Sequence, residues 1–82
     1  MFILLLLRML GPKQFQILNQ IYNIYLKKGY VIPKDITIPE VTDMAKYSLI
    51  QRLLKGGWII RREDGTYIPA QKAIELIKEL KK

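Results

Sequence analysis

Neither cysteine nor histidine occurs in this chain of 82 residues. Without cysteine there is no disulfide framework, no zinc-thiolate site and no thiol nucleophile. Without histidine the commonest general base and the commonest metal ligand are gone. What remains for catalysis is a scatter of carboxylates and lysines, so the chain is expected not to be an enzyme and to carry no cofactor or metal. Acids are also scarce. Seven Asp and Glu face fourteen Lys and Arg, a formal net charge of +7. Such an excess points to a polyanionic partner such as DNA, RNA or an acidic membrane surface, although solubility alone would explain it equally well. A long hydrophobic run is missing too. Met1 to Leu7 is apolar, but Arg8 ends the run well short of the roughly 20 residues that a membrane span requires. No basic segment precedes it and no small-residue cleavage site follows it, so it does not read as a secretory signal. No membrane association and a cytoplasmic location are expected.

What is present suits one small domain. The length allows a single modest core, and half of the residues are apolar, which excludes a disordered tail. No internal repeat, low-complexity segment or linker divides the chain. Residues 1–11 read as an apolar arm that buries itself on the domain or on a second subunit. The alternative is that translation starts at Met9. Residues 12–82 form the domain.

Gly11-Pro12 punctuates the end of the arm and opens a helix to about Lys28, since proline suits the first helical turn. Phe15, Leu18, Tyr22 and Tyr25 recur on one face, with Ile17, Ile21 and Ile24 on a neighbouring stripe. Lys27 and Lys28 complement the helix dipole, and Gly29 stops the helix. Tyr30 to Ile38 holds Pro33 and reads as extended. Pro39-Glu40 opens a short helix to about Met44, with Val41 and Met44 facing inward. A tight turn near Met44 to Lys46 leads to a third helix ending near Lys55, with Ala45, Leu49, Ile50, Leu53 and Leu54 on its inner face. Gly56-Gly57 terminates it. Trp58 to Arg62 and Thr66 to Ile68 are strands joined at Glu63-Asp64-Gly65. The last helix runs from about Ala70 to Leu80, with Ala73, Ile74, Ile77 and Leu80 buried. Trp58, Tyr22 and Tyr25 are assigned to the core in preference to base stacking.

From Pro12 onward this order resembles the winged helix-turn-helix family of bacterial and archaeal transcription regulators. The likeness rests on three runs. Ile36-Thr37-Ile38-Pro39-Glu40-Val41 is similar to the approach to the family's second helix. Leu53-Leu54-Lys55-Gly56-Gly57-Trp58-Ile59 is similar to the end of its recognition helix. Arg61-Arg62-Glu63-Asp64-Gly65-Thr66-Tyr67 is similar to its wing. Pro69-Ala70-Gln71-Lys72-Ala73 departs from the threonine and glycine with which many members open their last helix. The resemblance implies an α+β fold, mostly α, with a three-helix core, a two-stranded β wing and a C-terminal helix. It also implies that double-stranded DNA is the partner.

The residues fit that expectation. The major groove admits one helix, and the outward positions of the third helix are Lys46, Tyr47, Ser48, Gln51, Arg52 and Lys55, with no acid among them. Gln51 suits adenine, and Arg52 suits guanine or a phosphate. Lys46 and Ser48 lie in the first turn, where recognition helices meet base edges. Arg61 and Arg62 point to opposite sides of a strand, so one of the two is expected on the DNA as a wing cation. Glu63 and Asp64 at the wing tip either stay in solvent or keep the wing out of the groove. A homodimer is expected from surplus apolar surface, with Phe2, Leu5 and Leu6 of the arm and Ile17 and Ile24 of the first helix at its interface. There is little room for a separate ligand pocket, so no small-molecule effector is expected.

Two other classes compete with this reading. One is a docking module, for protein or structured RNA, within a transcription, replication or ribosomal assembly. The other is a membrane-surface protein anchored by Met1 to Leu7, which the break at Gly11-Pro12 disfavours. The absence of Cys and His with abundant Ile and Lys hints at a heat-adapted source, an archaeon or one of its viruses or plasmids.

Overall fold

The computed structural model describes residues 10–80. Helix α1 spans Pro12–Lys28, with Pro12 at its start, and the Gly29 N–H returns to the Tyr25 carbonyl at its end. The two expected apolar stripes of α1 enter the same core. Ile17, Leu18, Ile21 and Tyr22 are buried, and Phe15, Ile24 and Tyr25 pack against them. This corrects one interface expectation: Ile17 is fully buried inside its own domain. Phe2, Leu5 and Leu6 lie outside the described residues.

The segment after α1 is extended, as expected of a stretch holding proline. Val31 joins the hairpin through a single bridge, donating to the Tyr67 carbonyl at 2.9 Å and accepting from its N–H at 2.7 Å. A one-turn 3-10 helix covers Pro33–Asp35. Ile36 and Ile38 then turn into the core.

The expected short helix over 39–44 is absent. Pro39-Glu40 forms a turn instead, closed by Val41 N–H on the Ile38 carbonyl at 3.2 Å. Helix α2 then runs unbroken over Asp43–Lys55. Its start has a local cause. Thr42 is extended, and its hydroxyl oxygen accepts the Ala45 N–H at 3.2 Å, an N-cap followed by Asp43 in the first turn. Nothing from Met44 to Lys46 interrupts a helix, so no turn forms there. The earlier start rotates the face: Met44, expected inside, is 85% exposed, and Ala45 is exposed as well. Ile50 and Leu53 carry the helix into the core, with Leu49 and Leu54 at its edge.

Strands β1 (Ile59–Arg61) and β2 (Tyr67–Pro69) pair antiparallel, Ile60 opposite Ile68. Between them Arg62 N–H reaches the Thr66 carbonyl at 2.8 Å and Gly65 N–H the Arg62 carbonyl at 3.0 Å. Helix α3 spans Gln71–Leu80 and buries Ala73, Leu76 and Ile77. Leu80, expected in that stripe, is 40% exposed, and Leu76 takes the inward place. The described residues thus form a small α+β unit, mostly helical, with three α-helices and one two-stranded sheet. Helix α1 lies at its centre, touching α2, β2 and α3. Trp58, Tyr22 and Tyr67 all belong to the core. Among the described residues no helix is long and apolar enough to cross a membrane.

Candidate nucleic-acid interface

Helical spacing places Met44, Tyr47, Ser48, Gln51, Arg52 and Lys55 along one outward face of α2, three or four residues apart. All six are exposed. Tyr47 is 51% exposed and does not pack into the core. Gln51, Arg52 and Lys55 enter no side-chain hydrogen bond or ion pair among the described residues. Their polar ends therefore face solvent.

Lys46 does not share that face. Its side chain is only 14% exposed. The ammonium donates to the Pro33 carbonyl at 3.1 Å and to the Ile36 carbonyl at 3.3 Å, both ends of the 3-10 turn. An expected DNA contact is thereby turned inward as a clip that ties the extended segment to α2. The reason is again the start of the helix. Beginning at Asp43, α2 rotates Lys46 toward Pro33 and brings Met44 and Tyr47 outward.

An acid also stands at the end of α2 where base contacts were expected. Asp43 has a side chain 94% exposed, 4.0 Å from the Lys46 ammonium. Glu40 is nearby in the preceding turn, paired with Lys13 of α1 at 3.4 Å. Beside this end lies an open groove whose apolar lining comes from Val41, Ala45 and Leu49, with Ser48 and Arg52 on its wall. The outward face of α2 is thus acidic and apolar toward its N-terminus and basic toward its C-terminus.

The hairpin supplies two further cations. Arg61 ends β1 opposite Tyr67, Arg62 begins the turn, and both are exposed. At the tip, the Asp64 carboxylate accepts from the Thr66 hydroxyl at 2.6 Å and from its N–H at 3.0 Å. Those bonds, the hydroxyl first, hold Asp64 below the usual carboxylate range, with Arg62 adding a smaller pull. Asp64 is therefore a turn-forming anion as well as a charge at the hairpin tip.

The junction between α2 and the hairpin is tightly built. A Cβ on Gly56 would stand 2.8 Å from Cδ1 of Trp58, and Gly57 adopts a left-handed φ of 75°. Lys72 of α3 donates its ammonium to the Gly56 carbonyl, 4.4 Å from the centre of the Trp58 ring. Sequence reasoning missed Lys72 because its partners lie 16 and 14 residues back along the chain. It missed Asp43 although Thr42-Asp43 is itself an N-cap signal. No cluster of three or more acids that could hold a metal occurs among the described residues. No protein-family model, no curated protein and no solved structure matches this chain.

Proposed function

We propose that this chain is a winged-helix protein that binds double-stranded DNA in a sequence-specific way, a small transcription regulator rather than an enzyme. The observation that carries the proposal is the run of exposed, unengaged polar groups on α2, Gln51, Arg52 and Lys55, on a chain of net charge +7. The exposed Arg61 and Arg62 of the hairpin support it. The element order supports a winged helix with one departure: turns at 33–35 and 39–41 stand where the family has its second helix. In this reading α2 lies in the major groove and the hairpin is the wing, one arginine resting on the sugar-phosphate backbone. The protein acts in the cytoplasm as a homodimer joined through its apolar arm, with Ile24 at the edge of the contact and Ile17 excluded from it. A small-molecule effector plays no part.

Selection of bound duplexes from a random pool, followed by salt titration, tests this. A defined motif and a log–log salt slope of about −4 to −6 are expected. A flat salt response, or no retained duplex at low salt, would refute DNA binding. Sedimentation with and without residues 1–8 tests the dimer, which is refuted if the full chain is a monomer at micromolar concentration.

One observation favours a docking module instead. Met44 and Tyr47 are exposed large apolar side chains on α2, and the same helix contributes Ala45 and Leu49 to an open groove with Val41. Under that reading the selection yields no motif, and Met44→Ser leaves the fold intact while abolishing partner binding.

A further inference from the structure

From the charge distribution along α2 we infer that the duplex lies against the C-terminal half of this helix, with the N-terminal half, Asp43 to Tyr47, standing away from the phosphates. This rests on the duplex-binding reading above and decides which end of the helix meets the DNA.

The N-terminal end of a helix ordinarily attracts phosphate through its dipole and unpaired N–H groups. Here that end is occupied by its own chemistry. The Thr42 hydroxyl takes up the Ala45 N–H, and Asp43 and Glu40 place two exposed carboxylates beside it. Glu40 is paired with Lys13 at 3.4 Å, and Lys46, 4.0 Å from Asp43, is turned to the Pro33 and Ile36 carbonyls with its side chain only 14% exposed. A phosphate approaching the first turn meets the Asp43 carboxylate, 94% exposed, before the Lys46 ammonium behind it.

The C-terminal end has the opposite arrangement. Its partial negative charge is covered by Lys72, whose ammonium sits on the Gly56 carbonyl. Arg52 and Lys55 are exposed in the last turn. From Met44 to Lys55 the helix carries no acid. The nearest acid on α3, Glu75, lies one turn beyond Lys72 and is hydrogen-bonded by Gln71 at 3.4 Å. Nine residues separate Asp43 from Arg52, about 14 Å along the axis. That exceeds the screening length of about 8 Å at physiological salt, so the two ends act as separate electrostatic surfaces. Gln51 is the base-reading group that belongs to the cationic end. Lys72 is a positioning residue, turning a helix C-terminus into a surface that phosphate tolerates.

Fluorescence-anisotropy titration of the full chain against a random 20-base-pair duplex tests this, using charge-neutral variants at exposed positions. Arg52→Gln and Lys55→Gln are each expected to weaken binding several-fold and to make the salt slope shallower by about 1. Glu40→Gln and Asp43→Asn are expected to leave affinity within about twofold, because no phosphate comes near them. Thermal melts of every variant confirm that the fold is retained. A Lys72→Gln variant that loses stability is compared with Lys72→Arg, which keeps the charge and restores binding. If Asp43→Asn tightens binding about tenfold while Lys55→Gln is silent, the helix meets the duplex by its N-terminus and the inference is overturned. If all four exposed variants bind like the wild type, α2 is not the DNA-facing element and the inference is likewise overturned. Failure of the wild type to bind any duplex at low salt refutes the underlying DNA reading instead.

Discussion

The side-chain amide of Gln20 pairs with the backbone of Thr37 as a neighbouring strand would. Its NH₂ donates to the Thr37 carbonyl at 2.7 Å, and its oxygen accepts the Thr37 N–H at 2.9 Å. Ile36 and Ile38, on either side, are buried against α1. The amide thus satisfies the exposed backbone at the point where the extended segment crosses the helix, and it sets which residues face inward.

Gln20→Ala is expected to lower stability by about 1 kcal/mol, the net worth of two partly hydrated hydrogen bonds. Gln20→Glu keeps the acceptor and loses the donor, so it should fall between the two. Urea unfolding followed by tryptophan fluorescence measures both. An unchanged midpoint for Gln20→Ala would mean that apolar packing alone holds the segment.

Lys46 separates fold from function. Lys46→Met removes the donors from two carbonyls, a loss of about 1–3 kcal/mol for hydrogen bonds from a charged group. Because the ammonium is turned inward, the same variant should leave the salt slope of duplex binding unchanged. A shallower slope with unchanged stability would show that Lys46 reaches the DNA.

The Lys28–Asp35 pair, 3.0 Å apart, gives a pH signature. The bond from Lys28 is the main cause holding the Asp35 carboxyl below its ordinary 3.8, and the same bond raises Lys28 above its ordinary 10.5. A depressed acid stabilises the fold above its unfolded value, and that contribution is lost as pH falls through its folded value. A raised base does so below its unfolded value and loses the contribution as pH rises. The pair therefore contributes between 3.8 and 10.5 and fades outside that window. Asp35→Asn keeps an acceptor for the Ile32 N–H. Its melting temperature should lie below the wild type at about pH 7 and converge with it in strong acid. A gap that persists at the lowest pH would assign the loss to packing.

Gly56→Ala tests the close approach at the end of α2. The added Cβ would lie 2.8 Å from Cδ1 and 3.1 Å from Nε1 of a tryptophan that is 5% exposed, and 3.3 Å from the Arg52 carbonyl. The ring cannot yield without disturbing the core, so a cost of about 1–3 kcal/mol is expected. A shift in tryptophan emission should accompany it. A neutral variant with native emission would show that the indole has room to move.

Much of the fold was legible because it depends on local chemistry. Gly11-Pro12 and Gly29 bracket α1, Gly56-Gly57 ends α2, and Asp64-Gly65 closes the hairpin, each through backbone requirements that only a few residues meet. The apolar stripes of α1 gave the centre of the core. The expected short helix at 39–44 rests on Pro39-Glu40 as an opening signal, whereas the Thr42 cap starts the helix at Asp43. That single difference displaced Met44, Ala45 and Lys46 from their expected faces. The outward placement of Gln51, Arg52 and Lys55 was unaffected, since those residues lie far enough along the helix to remain exposed.

The sequence by itself determined the charge excess, the absence of thiol and imidazole chemistry, the helix ends marked by glycine and proline, and the hairpin. Each follows from composition or from the conformational limits of a few neighbouring residues. Only the tertiary structure decided that Lys46 is a clip for the Pro33 and Ile36 carbonyls, that Lys72 covers the end of α2 over Trp58, and that Ile17 belongs to the core. A lysine is a cation anywhere in a sequence. Whether it faces solvent or a carbonyl 10 or more residues away depends on how helices dock, which no local pattern encodes.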